Sequence, residues 1–415
     1  MLRSISFFLF LVLLLALPTN AQSPHPNALN VPTGIDSKFR SDPEKNLTEF
    51  VNTILKGITS DEEKIRILHD WTAVNIRYDV EGYFGNSKIV YNTFDVIKTG
   101  KSVCEGYCNV LELLLTTAGI ENKKVPGYAR GYGFDIFAGN EKFESNHAWT
   151  AVKLNGEWEL IDVTWNSGFI DGIRFVPNYS LGYFLISPEK FVYTHFPENS
   201  EWQLISPPHS FEEFSNMPYL SDRFFALGLD LINKPARILD AGAEFKLDIT
   251  IPKDILIMAK LEDLDGNSYD KATITQRVGE KGTVYIVFPK KGNFILTLFA
   301  KHKDETGSYS GVADFGLKAS AGSDAKFPML FKKFMEFGCR LISPLTKPFK
   351  MGPDQMVDFE FYAPVEEVGV ECDELITMLT KNTAGNFAGK VKITSYPVRV
   401  FMKIGDRLQF FCSWE

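Results

Sequence analysis

Ser102-Val103-Cys104-Glu105-Gly106-Tyr107, Asn146-His147-Ala148-Trp149 and Leu160-Ile161-Asp162-Val163-Thr164-Trp165 place a cysteine, a histidine and an aspartate, in that order, within residues 102–165. Ser102 reads as a helix N-cap, and Glu105 three residues on completes a capping box, so the spacing predicts Cys104 at the second helical position. The unpaired N–H groups of a first helical turn favour a thiolate over a thiol. The helix continues with Tyr107, Leu111, Leu114 and Ala118 at core-facing spacing and stops at Gly119, a C-terminal cap. Gly106 costs helix propensity and implies close approach of another backbone or a substrate. Cys108, one turn after Cys104, reads as a small buried apolar residue. The alternative is a redox partner for Cys104.

Working outward, Asn146–Leu154 and Glu157–Trp165 flank Asn155-Gly156, the two-residue signature of a tight hairpin. Leu154 then faces Glu157, Ala151 faces Leu160, Trp149 faces Asp162 and His147 faces Thr164. His147 and Asp162 become diagonal neighbours on one face, with Cβ atoms roughly 7 Å apart. A slip of one residue would send them to opposite faces. Upstream, Val125 to Tyr132 reads as a strand whose small residues let the sheet approach the helix closely.

A helix is expected over Leu47–Leu55. A second starts at the capping box Ser60-Asp61-Glu62-Glu63 and carries His69, read as a surface or capping residue. Residues 22–45 read as an extended, partly disordered lead-in. Met1-Leu2-Arg3, the apolar run Ile5 to Leu17 and Thr19-Asn20-Ala21 read as a signal peptide over residues 1–21, hence a secreted protein with no membrane segment after cleavage. Sequons at Asn46 and Asn178 fit that expectation. Five cysteines in an oxidising compartment leave one unpaired, assigned to Cys104. No Cys-x-x-Cys pair is present, so neither structural zinc nor any cofactor is expected. A net charge of -8 without a Lys/Arg run excludes nucleic acid as a partner.

At 415 residues the chain is too long for one core. From about Ser215, short alternating runs such as Phe245–Ile251, Thr283–Phe288 and Phe294–Ala300 are separated by Gly, Pro and Asp/Asn turns, the pattern of a β-sandwich. Ala319–Ser323 reads as a linker, and Val357–Tyr362, Val391–Thr394 and Leu408–Cys412 repeat the style. The expected fold is α+β: a helix bearing Cys104 packed on an antiparallel sheet (residues 46–214), then two immunoglobulin-like sandwiches (215–320 and 321–415). Cys339, Cys372 and Cys412 all fall in the last, where one disulfide is expected, Cys372–Cys412 being preferred.

In this arrangement Cys104 attacks an acyl carbon, His147 holds it as thiolate and protonates the leaving amine, and Asp162 fixes the imidazole tautomer. Water resolving the acyl-enzyme gives a hydrolase, and an amine gives a transamidase. The backbone N–H of Cys104 is one oxyanion donor, with Tyr91 or Asn92 as the second.

The three runs, extended by Gly100-Lys101, resemble the transglutaminase-like superfamily of papain-related cysteine enzymes. Tyr183-Phe184-Leu185-Ile186-Ser187-Pro188-Glu189-Lys190-Phe191, His195-Phe196-Pro197 and Trp202-Gln203-Leu204 resemble, more narrowly, its kyphoscoliosis peptidase branch. The resemblance covers roughly residues 45–210. It implies a papain/transglutaminase-like core, Cys104, His147 and Asp162 as the triad, and peptidase or cross-linking activity on protein or peptide substrates. The best-known members of the branch are intracellular and cytoskeletal, so export is a departure. The competing reading is a secreted binding or scaffold protein whose enzyme-like domain no longer turns over.

Overall fold

The computed structural model describes residues 23–138, 143–349, 355–405 and 407–415. Two helices frame the candidate site. In α1 (Asp61–Asn75), the Ser60 side chain accepts from the Glu63 N–H, and Ile65, Leu68 and Trp71 are fully buried. Across from them, α2 (Cys104–Thr117) buries Tyr107, Leu111 and Leu114. Each such side chain contributes about 1.5–3 kcal/mol, which outweighs the cost of about 1 kcal/mol for a glycine in the helix.

Ser102 does not cap α2, as the sequence pattern predicts. It lies in a two-residue strand, Lys101–Ser102, paired in parallel with Arg77–Tyr78, and its hydroxyl donates to the Val90 carbonyl. Val103 is the N-cap, so Cys104 is the first helical residue rather than the second. Glu105 is drawn away by Lys124, at 3.0 Å. A Cβ on Gly106 would lie 2.0 Å from Ser102 Oγ, so the Ser102 hydroxyl is what demands the glycine.

Five strands, β1 (Asn122–Ala129), β2 (His147–Leu154), β3 (Glu157–Ile161), β4 (Phe184–Ile186) and β5 (His195–Pro197), form an antiparallel sheet in the order β4-β3-β2-β1-β5. The hairpin register is the expected one: Leu154 pairs with Glu157, Ala151 with Leu160 and Thr150 with Ile161. Asn155 (φ 53°) and Gly156 (φ 90°) both occupy the left-handed region that a type I′ turn requires. Past Ile161 the ladder stops. Asp162 accepts from the N–H groups of Thr164 and Trp165 and caps a short helix, α3 (Val163–Ser167), where a continuing strand is expected. Gly127 serves the other face of the sheet, not the helix: a Cβ there would strike the Phe196 carbonyl and the Trp149 ring, each at 2.4 Å.

The segment expected as an extended lead-in is helical, over Pro26–Leu29 and Thr33–Ser41, with Phe39 stacked on Phe50 in the core. The next helix runs Pro43–Ile54, starting earlier than expected because Asp42 caps it. The expected signal peptide, residues 1–21, lies outside the described residues.

Two sandwiches follow. In the first, a sheet of Tyr219–Leu220, Ser310–Ala319, Gly292–His302 and Ile255–Asp263, joined by Ile238–Ala241, packs on a four-stranded sheet around Phe224, Val284, Phe294 and Phe315. The second pairs five- and four-stranded sheets around Phe359, Val400 and Trp414. The whole is α+β, a helix-on-sheet core followed by two β-sandwiches. Arg130 staples the core to the first sandwich. Buried, it donates to the carbonyls of Tyr193, Phe214, Met217 and Pro218 and lies 4.2 Å over the Phe214 ring.

The expected Cys372–Cys412 disulfide is absent, and all five cysteines are free. The strands bearing the two residues, Glu367–Cys372 and Arg407–Trp414, flank Val398–Ile404 on opposite sides. Two inter-strand spacings amount to about 9.6 Å, beyond the reach of about 7 Å that a disulfide spans.

Candidate active site

Cys104 and His147 are the first residues of α2 and β2, and Asp162 immediately follows β3. Three element ends therefore meet. The Cys104 thiol lies beside the His147 ring and the Ala148 N–H, both of which favour its thiolate. His147 Nε2 lies 2.7 Å from Asp162 Oδ2, which leaves Nδ1 to face the sulfur. Asp162 is fully buried, with Oδ1 taking the two N–H groups of α3.

The electrostatics follow from these contacts. Burial pushes the Cys104 thiol up, but the His147 charge and the N–H groups of His147 and Ala148 together outweigh it, and its pKa is lowered. Burial likewise works against a charged His147, yet Asp162 and Cys104 raise it to about 10. For Asp162 burial is again the largest influence, and His147 and its donors overcome it, holding the carboxyl well below the usual range. Each group is thus shifted toward the charged form that the next one stabilises. Cys108 is driven well above an ordinary thiol by burial. It is the inert core residue that its spacing suggests.

Sequence reasoning missed His195 as part of this site. It sits on the short edge strand β5, buried, with Nε2 3.1 Å from the same Asp162 Oδ2. Nor is His69 at the surface: it is fully buried, between Asp70 (2.7 Å) and the Asn166 amide (3.0 Å). Tyr91 and Asn92, named for a second oxyanion donor, immediately precede the helix Thr93–Thr99. Asn92 Oδ1 caps the helix Thr93–Thr99, and Tyr91 is exposed with its carbonyl taken by Asn109. His147, Asp162 and His195 bring three potential ligand atoms within 4.8 Å of one another. Their ring N–H groups already converge on one carboxylate oxygen, so a cation would have to displace both protons.

Residues 48–163 match the transglutaminase-like superfamily, and residues 211–328 match the KY-like, immunoglobulin-like domain. The domain over residues 48–163 is transglutaminase-like. The chain is 32% identical to the kyphoscoliosis peptidase of Mus musculus over 75% of its own length and 44% of that protein's, and so spans less than half of this relative. Hillarin of Drosophila melanogaster is 25% identical over 62% of the chain and 34% of its own length. Cytokinesis protein 3 of Schizosaccharomyces pombe is 30% identical over 34% of the chain and 17% of its own length.

These relatives overturn the expectation of a secreted protein, because they are cytoskeletal or cytosolic. One feature of the transglutaminase-like domain agrees with the correction. The Asn46 sequon is buried, its amide donating to the carbonyls of Lys38 and Asp42. No helix among the described residues is long and apolar enough to cross a membrane.

A cavity of about 450 Å³ opens beside His147. Tyr78, Tyr132, Trp165 and Phe175 of the transglutaminase-like domain wall it on one side, and Tyr219, Asp222 and Asp314 on the other belong to the segment that builds the first sandwich. The sandwich segment therefore contributes to the cavity beside His147.

Proposed function

We propose that the transglutaminase-like domain is a cysteine-nucleophile acyl-transfer enzyme acting on amide groups of proteins or peptides, a peptidase or a transamidase. The observation that carries this reading is the 2.7 Å contact of His147 Nε2 with Asp162 Oδ2, beside a Cys104 thiol that the same imidazole draws toward thiolate. Cys104 Sγ attacks the amide carbon, and the C–N bond breaks as His147 gives its Nδ1 proton to the leaving amine. Asp162 keeps the Nε2 proton in place and stabilises the imidazolium before transfer. The Cys104 N–H, at the start of α2, faces the developing oxyanion. His147 then takes a proton from water or an incoming amine as that nucleophile cleaves the thioester. The cavity borders His147, so the leaving and incoming groups occupy it.

Labelling with iodoacetamide at pH 6 tests the nucleophile. The wild-type chain should react about 100-fold faster than a model thiol, and His147→Ala should lose that advantage. Labelling no faster than a model thiol would sink the enzyme reading and leave a binding scaffold. Given fast labelling, incorporation of a primary-amine probe into proteins identifies a transamidase, and peptide cleavage without incorporation a peptidase.

A further inference from the structure

One carboxylate oxygen serves two histidines. Asp162 Oδ2 lies 2.7 Å from His147 Nε2 and 3.1 Å from His195 Nε2. An ionised carboxylate only accepts, so both rings present N–H to it. That fixes the His195 tautomer: Nε2 carries the proton, and Nδ1 is a lone pair that meets the Thr194 hydroxyl at 2.8 Å. A directed pair of contacts thus leads from Thr194 through His195 to Asp162. The Tyr183 oxygen accepts from the Asp222 N–H, in the first helix of the sandwich segment, at 3.4 Å.

The setting keeps His195 neutral. It stacks on Phe191 with centroids 3.9 Å apart and planes at 9°, and Trp165 and Trp149 pack at 4.5 and 5.1 Å. Burial holds its pKa at about 4 despite Asp162. The other titratable neighbours of the two-histidine cluster are Cys104, Cys108 and Tyr107 on α2, His69 on α1, Tyr78 and Tyr183.

We propose that His195 is a positioning residue: a neutral imidazole that shares Asp162 Oδ2 with His147 and so sets how strongly Asp162 holds His147 as imidazolium. The proposal rests on the acyl-transfer reading of the same site. An oxygen that accepts two N–H donors gives each less than it would give one, and the extra donor makes the carboxylate a weaker base. Remove it, and the negative charge falls on His147 alone. The His147 proton is then held more tightly, and the more negative carboxylate also disfavours the nearby thiolate. Both limbs of the Cys104 reactivity profile move to higher pH.

The pH profile of Cys104 alkylation, measured on the full chain, tests this. His195→Phe keeps a flat ring against Phe191 and deletes the donor. Its profile should shift upward by about one unit. His195→Gln restores an amide N–H within reach of Oδ2 and should bring the profile back to that of wild type. Thr194→Val frees the His195 tautomer and should shift it upward by less. An unmoved or lowered His195→Phe profile overturns the proposal, as does a Gln variant that behaves like Phe. If circular dichroism shows the position-195 variants unfolded, Thr194→Val decides, and its failure to shift overturns the proposal. Slow labelling of wild type would overturn the acyl-transfer reading instead, so the two failures are distinct.

Discussion

Cys104 and Cys108 lie one turn apart on the same face of the same helix, and burial opposes ionisation of both. Yet the first is pulled toward thiolate and the second driven well away from it. The helix start favours Cys104, but the charged neighbour separates the two: the His147 imidazole lies beside Cys104, and Cys108 is fully buried with no imidazole acting on it. A cysteine at a helix N-terminus is an opportunity, and the ring opposite turns it into a nucleophile. The largest expected effect follows. Cys104→Ala should abolish alkylation at pH 6, while Cys108→Ala should leave the rate within about twofold. Peptide mapping by mass spectrometry reads both, and comparable labelling at the two positions would break the contrast.

Much of this contrast could be read from the chain. Asn155-Gly156 pinned the hairpin register, because a type I′ turn tolerates few other sequences, and the register brings His147 near Asp162. The end of the strand was not legible: an aspartate reads as a strand residue until its carboxylate is seen capping the two N–H groups of α3. His195 escaped for a different reason. A three-residue edge strand has no periodicity to betray it, and only folding brings it to Asp162. The disulfide expectation failed because sequence shows which domain holds three cysteines but not that another strand lies between two of them. The secretory reading rested on a short apolar run and on sequons, one of which packing has buried.

The balance between burial and a charged neighbour governs the histidines as well, and there it carries a sign. His147 is raised to about 10, so its contribution to stability is complete below about pH 6.5 and is lost as pH rises through 10. His195 is depressed to about 4. As pH falls below about 6.5 the unfolded chain takes up a proton that the folded chain refuses, so stability falls between about 6.5 and 4. The shift corresponds to about 3 kcal/mol for this fully buried ring. Buried His69, also lowered, adds in the same direction. Urea unfolding at pH 7, 5.5 and 4.5 should show His195→Gln losing less stability than wild type by up to that amount. Equal losses would mean that His195 is protonated in the native state, and the contrast between the two rings on Asp162 would fall.

The smallest expected effect concerns the residue between the two cysteines. Gly106 exists for Ser102: a Cβ would stand 2.0 Å from the serine oxygen and 2.4 Å from its Cβ, with Val96 at 3.2 Å behind. The serine cannot yield freely, because its hydroxyl holds the Val90 carbonyl and its backbone pairs with Tyr78. Gly106→Ala should therefore cost about 1–3 kcal/mol by overpacking, despite the helix propensity it gains. The strain is delivered to Ser102, two residues before Cys104, so labelling of Cys104 should slow while Cys108, anchored deeper in the core, stays silent. Ser102→Gly in the same chain removes the clash, and recovery of both stability and labelling would tie the loss to this contact. If Gly106→Ala is as stable and as reactive as wild type, the helix start moves freely against its sheet. The advantage of Cys104 over Cys108 would then rest on the histidine alone.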